Sequence, residues 1–193
     1  MFKKLSPWQN TALAAALLER MLPNYQMFSQ AADFGDYKTL RNQVDLVWQK
    51  LADRSIKINS DAQVIKLEDN IPEPDEFDFF GVYPALDTCM ALTALLQGGQ
   101  ESGFEHTQQV SRLSANSVSY YVELLLAEEH AQQDEITLSE KDIDQHPLME
   151  WENATQQELY DFLLDKKENK QTCQQLTALA LAEGISNLGI EIS

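Results

Sequence analysis

The sequence predicts an all-α fold in which seven or eight mostly antiparallel helices form a single domain over residues 1–193. Glycine and proline are sparse, at seven and six of 193 residues, while leucine, alanine, glutamine and glutamate are frequent, which favours helix over strand. Apolar residues also recur at helical spacing in successive segments, and Ile56 and Ile58 give the one hint of strand-like alternation. Two residues are too few to argue for a sheet.

A third observation concerns the centre of this predicted bundle. Pro84 can begin a helix, and the glycines at 98 and 99 can end one. Between them Asp87 is the only charged residue, so this segment has no polar face. A helix without a polar face must be surrounded by other helices. We therefore predict that residues 84–97 form a buried central helix.

The other helices follow from start and stop signals. Ser6 and Gln9 form a capping box, whereas Pro23 is expected to end the first helix or to begin a second segment. Gly35 is expected to close that segment, and Asp36 to cap the next helix. The predicted helices are 7–22, 24–34, a third from Asp36 to a linker at 54–59, then 60–69, 84–97, 105–130, 147–165 and 171–187, with a loop at 131–135, a short turn at 140–145 and a tail at 190–193.

The charge of the chain is −17 and is unevenly distributed. Residues 67–140 contain 15 acidic residues and a single base, Arg112. Such a field opposes binding to nucleic acid or to anionic membranes, because both are polyanionic. No window approaches the roughly 18 uncharged apolar residues that a membrane helix needs. We expect neither nucleic acid nor membrane as a partner, while basic proteins, cations and simple solubility remain open explanations of the charge.

The cysteines and the N-terminal segment indicate the cellular location of the protein. Cys89 and Cys173 lie in apolar helical segments, where a free cysteine behaves as a small hydrophobic residue. Lys3 and Lys4 precede a short apolar run at 12–18, which resembles a signal peptide. The capping box before this run and its length of seven residues favour a helix of the mature protein. We expect a cytoplasmic protein.

The chemically unusual segment is residues 68–83, called here the acidic aromatic loop. Six of its first eleven residues are acidic, and Pro72 and Pro74 stiffen it. Two interpretations of this loop are open. In the first, the aromatic rings pack into the core while the acids face water. In the second, the loop is a recognition surface on which the acids steer a basic partner and the aromatic rings anchor it. The candidate interaction surface comprises Glu73, Asp75, Glu76, Phe77, Asp78, Phe79, Phe80 and Tyr83.

Asp87 is the candidate perturbed acid. In the first turn of the predicted central helix its carboxylate would be stabilised by free backbone N–H groups and by the helix dipole. Alternatively, a buried Asp87 with a raised pKa is suited to general acid or base chemistry, although the sequence identifies no partner for it.

Motifs for metal, cofactor and covalent chemistry are missing from the sequence. The residues three before each histidine are Gly103, Ala127 and Ile143, so the Glu-x-x-His pairs of di-iron bundles do not occur. His-Glu-x-x-His, Cys-x-x-Cys, EF-hand and Gly-x-Ser-x-Gly patterns are also missing. His146 and Glu150 lie four residues apart and are read as a surface pair. We therefore expect no catalytic residue, no cofactor and no bound metal.

Two segments carry a resemblance to a known family. Residues 79–92 read FFGVYPALDTCMAL, and residues 5–9 read LSPWQ. In these segments, and in helix order and length, the chain resembles the bacterial YjaG-like family. The resemblance implies a helical, cytoplasmic bacterial protein. It implies no activity, because the family is one of unknown function.

Three functional hypotheses follow. The favoured one is a non-enzymatic interaction or adaptor protein whose acidic aromatic loop recognises a basic protein partner, and a homodimer is compatible with it. The first alternative is a carboxylate-based enzyme or a protein that binds a small ligand or metal through acids such as Asp87. The second is an acidic mimic of nucleic acid, which requires the acids of residues 67–140 to lie on one face.

Overall fold

The computed structural model describes residues 2–98, 103–130 and 139–192. Within these ranges the regular elements are eight α-helices and two short 3-10 turns at Phe2–Lys4 and Pro74–Glu76, which confirms the all-α prediction. The helices are α1 (Pro7–Ala32), α2 (Tyr37–Ala52), α3 (Ser60–Glu68), α4 (Val82–Gly98), α5 (Glu105–His130), α6 (Glu140–Asp144), α7 (Pro147–Leu164) and α8 (Lys170–Ala180). Gly99, the loop expected at 131–135 and the last tail residue, Ser193, lie outside the described residues.

The helices pack as a bundle in which α1 contacts α2, α4, α5, α7 and α8. Hydrogen bonds fix the direction of α7. Near the start of α1, Gln9 donates to the carbonyl of Leu163 near the end of α7, whereas Arg20, further along α1, pairs with Glu152 near the start of α7. Helices α1 and α7 are therefore antiparallel.

The predicted central helix is present as α4, and it is buried over most of its surface. Tyr83, Met90 and Gln97, spaced seven residues apart, form a narrow exposed edge. Helix α1 shares the centre, with 16 of its 26 residues buried. Small alanines at 12 and 14–16 are all fully buried, which allows neighbouring helices to approach it on several sides.

The expected break at Pro23 does not occur, because α1 continues through this residue to Ala32. Proline removes one backbone donor and crowds the carbonyls of the preceding turn. Here two of those carbonyls receive donors from elsewhere. The carbonyl of Arg20 accepts from the backbone N–H of Asn187 at 3.1 Å, and that of Met21 accepts from the Thr88 hydroxyl at 3.3 Å. Tertiary contacts thus make the proline tolerable inside the helix.

The predicted N-terminal caps of α1 and α2 are confirmed. Ser6 and Gln9 form the capping box of α1, and the Asp36 side chain accepts from the backbone N–H of Lys38 to cap α2. The C-terminal cap expected at Gly35 is wrong, because α1 ends at Ala32 and Asp33, with a φ of 50°, is its C-cap. Gly35 adopts a φ of 68°, and a Cβ there would lie only 2.1 Å from the Tyr25 hydroxyl oxygen. A glycine is needed at this position for both reasons.

The prediction of a last helix over 171–187 is wrong at its C-terminal end, because α8 stops at Ala180. The chain then turns, and an isolated antiparallel bridge joins Ile185 to Glu191. Ser186, Asn187 and Leu188 are buried. The reason is long-range hydrogen bonding, since the Asn187 side chain donates to the carbonyl and hydroxyl of Ser114, both at 3.1 Å. A helix continuing from α8 would forgo these bonds.

Apolar side chains of the described residues form two clusters. The main cluster surrounds α1 and α4 and includes Phe28. A smaller cluster joins the second half of α5 to α6, α7 and the C-terminal segment, with Val118 and Leu188 among its buried members. No helix in the described ranges is long and apolar enough to span a membrane.

Candidate functional site

The acidic aromatic loop is fixed to the bundle at its start by Asn70. The Asn70 side-chain oxygen accepts from the backbone N–H of Asp36 at 2.7 Å, and its carbonyl accepts from the Tyr25 hydroxyl at 2.8 Å. Pro72 is buried just beyond it. These contacts hold the loop against α1 and α2 before it reaches its aromatic part.

The phenylalanines of the loop differ in exposure. Phe77 is half-buried, with its ring 5.0 Å from that of Phe28 and 5.4 Å from that of Phe34. Phe79 stacks on Phe28 at 5.6 Å and also contacts Phe77 at 6.4 Å, yet 40% of its surface remains exposed. Phe77 therefore behaves as a core residue, while Phe79 presents apolar surface to solvent.

The next two aromatic residues extend this surface to α5. The half-buried ring of Phe80 lies 5.7 Å from that of Tyr121 and 6.3 Å from that of Tyr83. Tyr83 in turn contacts Tyr120 at 6.5 Å, and these two tyrosines are 48% and 46% exposed. A continuous aromatic strip thus runs from the loop onto α5.

The acids of the same loop have no partners among the described residues. Glu73, Asp75, Glu76 and Asp78 are exposed. Among the described residues, none of the four forms an ion pair or a side-chain hydrogen bond. Their charge is available to an external cation.

A groove of about 420 Å³ lies beside Phe79 and Phe80, where the main and smaller apolar clusters meet. We call it the aromatic groove. Its size lies within the range of small-ligand and peptide side-chain pockets. A Cβ at Gly81 would lie 2.9 Å from the ring of Phe79, so the glycine leaves room for this ring in the groove lining. The lining residues are Asn24, Met27, Phe28, Ala31, Phe79, Phe80, Gly81, Pro84, Tyr121, Leu188 and Ile190.

Seven of the eleven lining residues lie outside the loop and Pro84, and the sequence did not place them at this site. Met27, which is 46% exposed, comes from the segment beyond Pro23, and Leu188 and Ile190 come from the segment predicted as helix end and tail. A helical pattern identifies these residues as apolar, but it does not show that they meet the loop. Only the continuation of α1 and the C-terminal turn bring them together.

Asp87 lies outside the groove, in the seam between α4 and α5. Because α4 begins at Val82, Asp87 is in the second helical turn rather than the first, so the expected stabilisation by free N–H groups does not apply. Its carboxylate accepts a 2.8 Å hydrogen bond from the Ser117 hydroxyl. Burial raises the pKa of Asp87 from 3.8 to about 6, and the hydrogen bond from Ser117 opposes this rise.

A buried polar junction between α1, α5 and α7 was also missed by sequence reasoning. Arg20 and Glu152 form an ion pair with both side chains almost fully buried. Glu152 accepts two further hydrogen bonds, from Ser114 at 2.6 Å and from Gln156 at 2.7 Å. The Arg20 guanidinium also lies over the Trp151 ring. The partners are up to 132 residues apart, so no local pattern signals the pair.

Within the described ranges, no group of three or more histidine, cysteine, aspartate or glutamate residues is arranged to hold a metal ion. His146, read from the sequence as part of a surface pair, caps α7 by accepting from the backbone N–H of Leu148 at 3.2 Å.

The fold and the groove together define an acidic, all-α protein with an open aromatic groove on one side of its bundle. The chain belongs to the family described as protein of unknown function DUF416, whose match covers residues 1–191. This agrees with the YjaG-like resemblance of the sequence, and it assigns no specific function.

Relatives and a solved structure support the same assignment. The uncharacterised protein YjaG of Escherichia coli strain K12 is 36% identical over 191 residues, which cover 97% of this chain and 93% of that protein. An uncharacterised protein of Haemophilus influenzae is 34% identical and covers 98% and 94%. The crystal structure of a DUF416 family protein from Shewanella baltica OS155 is similar with a TM-score of 0.86 and 35% identity, covering 100% of this chain and 98% of that one.

Proposed function

We propose that the protein is a non-enzymatic interaction protein that binds a basic segment of a partner protein at the aromatic groove. The observation that carries this proposal is the ring of Phe79, which is 40% exposed and lines the groove. It belongs to a loop in which the carboxylates of Glu76 and Asp78 are exposed and unpaired. An exposed apolar surface on a negatively charged loop favours a ligand that has both an apolar side chain and positive charges.

The groove and the acids have separate roles in this proposal. A leucine or phenylalanine side chain of the partner enters the groove and contacts Phe79 and Met27, and this buried contact supplies most of the affinity. Lysine or arginine residues on either side of the anchor face the loop acids and mainly raise the association rate. Binding should therefore weaken as salt concentration increases.

The test is fluorescence anisotropy with a labelled decapeptide that has leucine and phenylalanine anchors flanked by lysine and arginine. One control peptide replaces the basic residues with glutamate, and another replaces the anchors with serine. We expect saturable binding of the first peptide only. Equal binding of the serine peptide would show that negative charge alone, and not the groove, binds the peptide, which would contradict the proposal.

Variants of the protein separate the two contributions. Phe79→Ala should weaken binding about tenfold, the usual range for an interface hot spot. Its control is Ile65→Ala, which removes a side chain that is 63% exposed on α3 and does not line the groove. An unchanged affinity in Phe79→Ala, or an equal loss in Ile65→Ala, would refute the assignment of the groove.

The contribution of the loop acids is tested by neutralising Asp75, Glu76 and Asp78 together. We expect a lower association rate and a smaller dependence on salt. The matched control neutralises the same number of exposed acids on α3 and α7, namely Asp61, Glu150 and Glu158. If both triple variants bind alike, net charge rather than the loop accounts for the attraction.

The proposal includes a cytoplasmic location, which is supported by two buried, unpaired cysteines, Cys89 and Cys173. The possible homodimer and the nucleic-acid mimic stay predictions.

A second candidate function is carboxylate chemistry at Asp87, because burial places its pKa at about 6, where a carboxyl group can accept or donate a proton near neutral pH. Its test compares wild type with Asp87→Asn on a panel of aryl ester and phosphate ester substrates. A turnover that Asp87→Asn abolishes, with a pH midpoint near 6, would support this function. Equal rates in the two proteins would exclude it for those substrates.

A further inference from the structure

A second cavity, separate from the aromatic groove, lies between the start of α1, the end of α2, the linker before α3 and the end of α4. Its volume is about 180 Å³. The apolar walls are formed by Trp8, Val47, Leu51, Ile58, Leu95 and Leu96. None of the residues that line the aromatic groove takes part in it.

The cavity has fixed walls. The Trp8 indole N–H donates to the carbonyl of Leu51 at 3.0 Å, which sets the orientation of the ring against the end of α2. Leu95 and Leu96 are buried in the last turns of α4 and close the inner side. A cavity whose walls are already in place loses little entropy when a ligand enters.

The lining also includes two basic residues, Lys50 and Arg54, together with Pro7, Thr11 and Ser60, and no acidic residue belongs to it. Lys50 forms no ion pair within the described ranges, and Arg54 pairs with Glu168 through one of its two terminal nitrogens. The segment 37–66, which supplies six of the eleven lining residues, contains six bases and three acids in a chain whose net charge is −17. Two bases and no acid in the lining favour an anionic ligand.

We propose that this cavity binds a small organic anion, whose apolar body lies against Trp8 and Ile58 while its carboxylate faces Lys50 and Arg54. An apolar cavity of about 150 Å³ accommodates a benzene ring, so a body of about six to eight carbons fits the volume here. Arg54 retains further N–H donors for a carboxylate beside Glu168. The cavity thus defines a ligand site independent of the partner that the aromatic groove takes.

The experiment is a titration followed by the indole N–H signals in ¹H–¹⁵N correlation spectra. The chain has three tryptophans, and Trp8→Phe assigns the signal of the residue in the cavity. The probe is octanoate, with 1-octanol and octylamine as neutral and cationic controls of equal chain length. We expect a saturable shift of the Trp8 signal with octanoate, and at least tenfold weaker binding of octylamine.

Two kinds of variant test separately how binding depends on the basic residues and on the volume of the cavity. Lys50→Gln and Arg54→Gln should each weaken octanoate binding by about two- to fivefold, as expected for partly exposed ion pairs. Lys57→Gln is the matched control, because this exposed base lies in the same linker and does not line the cavity. Ile58→Trp, at a half-buried position outside the helices, should fill the cavity and abolish binding while the Trp48 and Trp151 signals report an intact fold.

The proposal is overturned by any of three results. These are no saturable shift with octanoate, equal affinity for octanoate and octylamine, or unchanged binding in Ile58→Trp. A loss in Lys57→Gln as large as that in Lys50→Gln would likewise show that general charge, not this cavity, attracts the anion.

Discussion

Two carboxylates occupy neighbouring seams of the bundle, and each accepts a hydrogen bond from a serine of α5. Glu152 accepts from Ser114 at 2.6 Å, and Asp87 accepts from Ser117 at 2.8 Å. Glu152 is fully buried and pairs with the Arg20 guanidinium. Asp87 is half-buried and takes part in no ion pair within the described ranges.

The difference shows how a cation decides the role of a buried carboxylate. With Arg20 beside it, Glu152 belongs to a buried ion pair that joins three helices. Without a cation, the burial of Asp87 is offset by a single hydroxyl, which leaves its pKa raised to about 6. The first carboxylate is suited to structure, and the second is able to change its charge near neutral pH.

The largest expected effect on stability comes from removing Arg20, the cation that pairs with Glu152. Arg20→Met leaves Glu152 buried without its partner, and breaking one side of a buried pair typically costs about 3–5 kcal/mol. The loss also removes the contact of the guanidinium with Trp151. Urea unfolding at pH 7, followed by circular dichroism, measures the change.

The control for this prediction is the double variant Arg20→Met/Glu152→Leu, in which both charges are replaced by apolar groups. It should be more stable than Arg20→Met alone, because no uncompensated charge remains buried. A single variant that loses less than about 1 kcal/mol, or a double variant no better than the single, would break the comparison.

The second prediction concerns Asp87 and its dependence on pH. The folded-state pKa of about 6 lies above the ordinary value of 3.8, so the folded protein binds more protons than the unfolded chain between these values. The contribution of Asp87 to stability is therefore fully present below pH 4 and is lost as pH rises through 6. Asp87→Asn should stabilise the protein at pH 7 by about 1–2 kcal/mol, after allowance for partial exposure.

Urea unfolding curves of wild type and variant at pH 4 and pH 7 test this expectation. The difference in the free energy of unfolding between the two proteins is compared at the two pH values, because the contributions of the other titrating groups cancel in it. Asp78→Asn makes the same chemical change at an exposed position, and it should not alter that difference. The idea fails if Asp87→Asn is destabilising at pH 7, or if its effect is equal at both values of pH.

The smallest effect is expected from placing a cation beside Asp87. Met90 is 38% exposed and lies three residues after Asp87 on α4, so Met90→Lys places an ammonium group beside the carboxylate. Such helical pairs contribute about 0.2–0.5 kcal/mol, which lowers the pKa of Asp87 by a few tenths of a unit. An NMR titration of the Asp87 side-chain carbon measures the shift.

Met90→Gln is the matched control, since it has similar length and no charge. If the glutamine variant lowers the midpoint as much as the lysine variant does, then the polarity of the side chain, rather than its charge, accounts for the change. A clear difference between the two would show that the absence of a cation distinguishes Asp87 from Glu152.

Local signals in the sequence accounted for much of the helix pattern. The Ser6–Gln9 box, the Asp36 cap and the long helix 105–130 were predicted with their observed ends or within a residue of them. Capping and apolar periodicity act over a few residues, so they can be read without knowledge of the fold. The candidate site was foreseen in part, because the loop was identified but the exposure of Phe79 and the burial of Phe77 were not.

The features that sequence reasoning missed depend on residues far apart in the chain. Pro23 lies inside α1, and in the turn before it Asn187 and Thr88 donate to the carbonyls of Arg20 and Met21. Likewise, α8 ends early because the buried side chain of Asn187 bonds to Ser114 rather than to its own helix. Long-range hydrogen bonds of this kind outweigh local propensity in both places.

The sequence by itself therefore determined the helical class, the apolar central segment and the presence of an acidic loop, because these follow from composition and short-range spacing. The tertiary structure decided which acids and rings have partners. Asp87 and Glu152 each carry one carboxylate, and only the packing of α1 against α7 gives a cation to one of them. Partnership across the bundle, which no local pattern encodes, separates the ion-paired carboxylate of Glu152 from the unpaired carboxylate of Asp87.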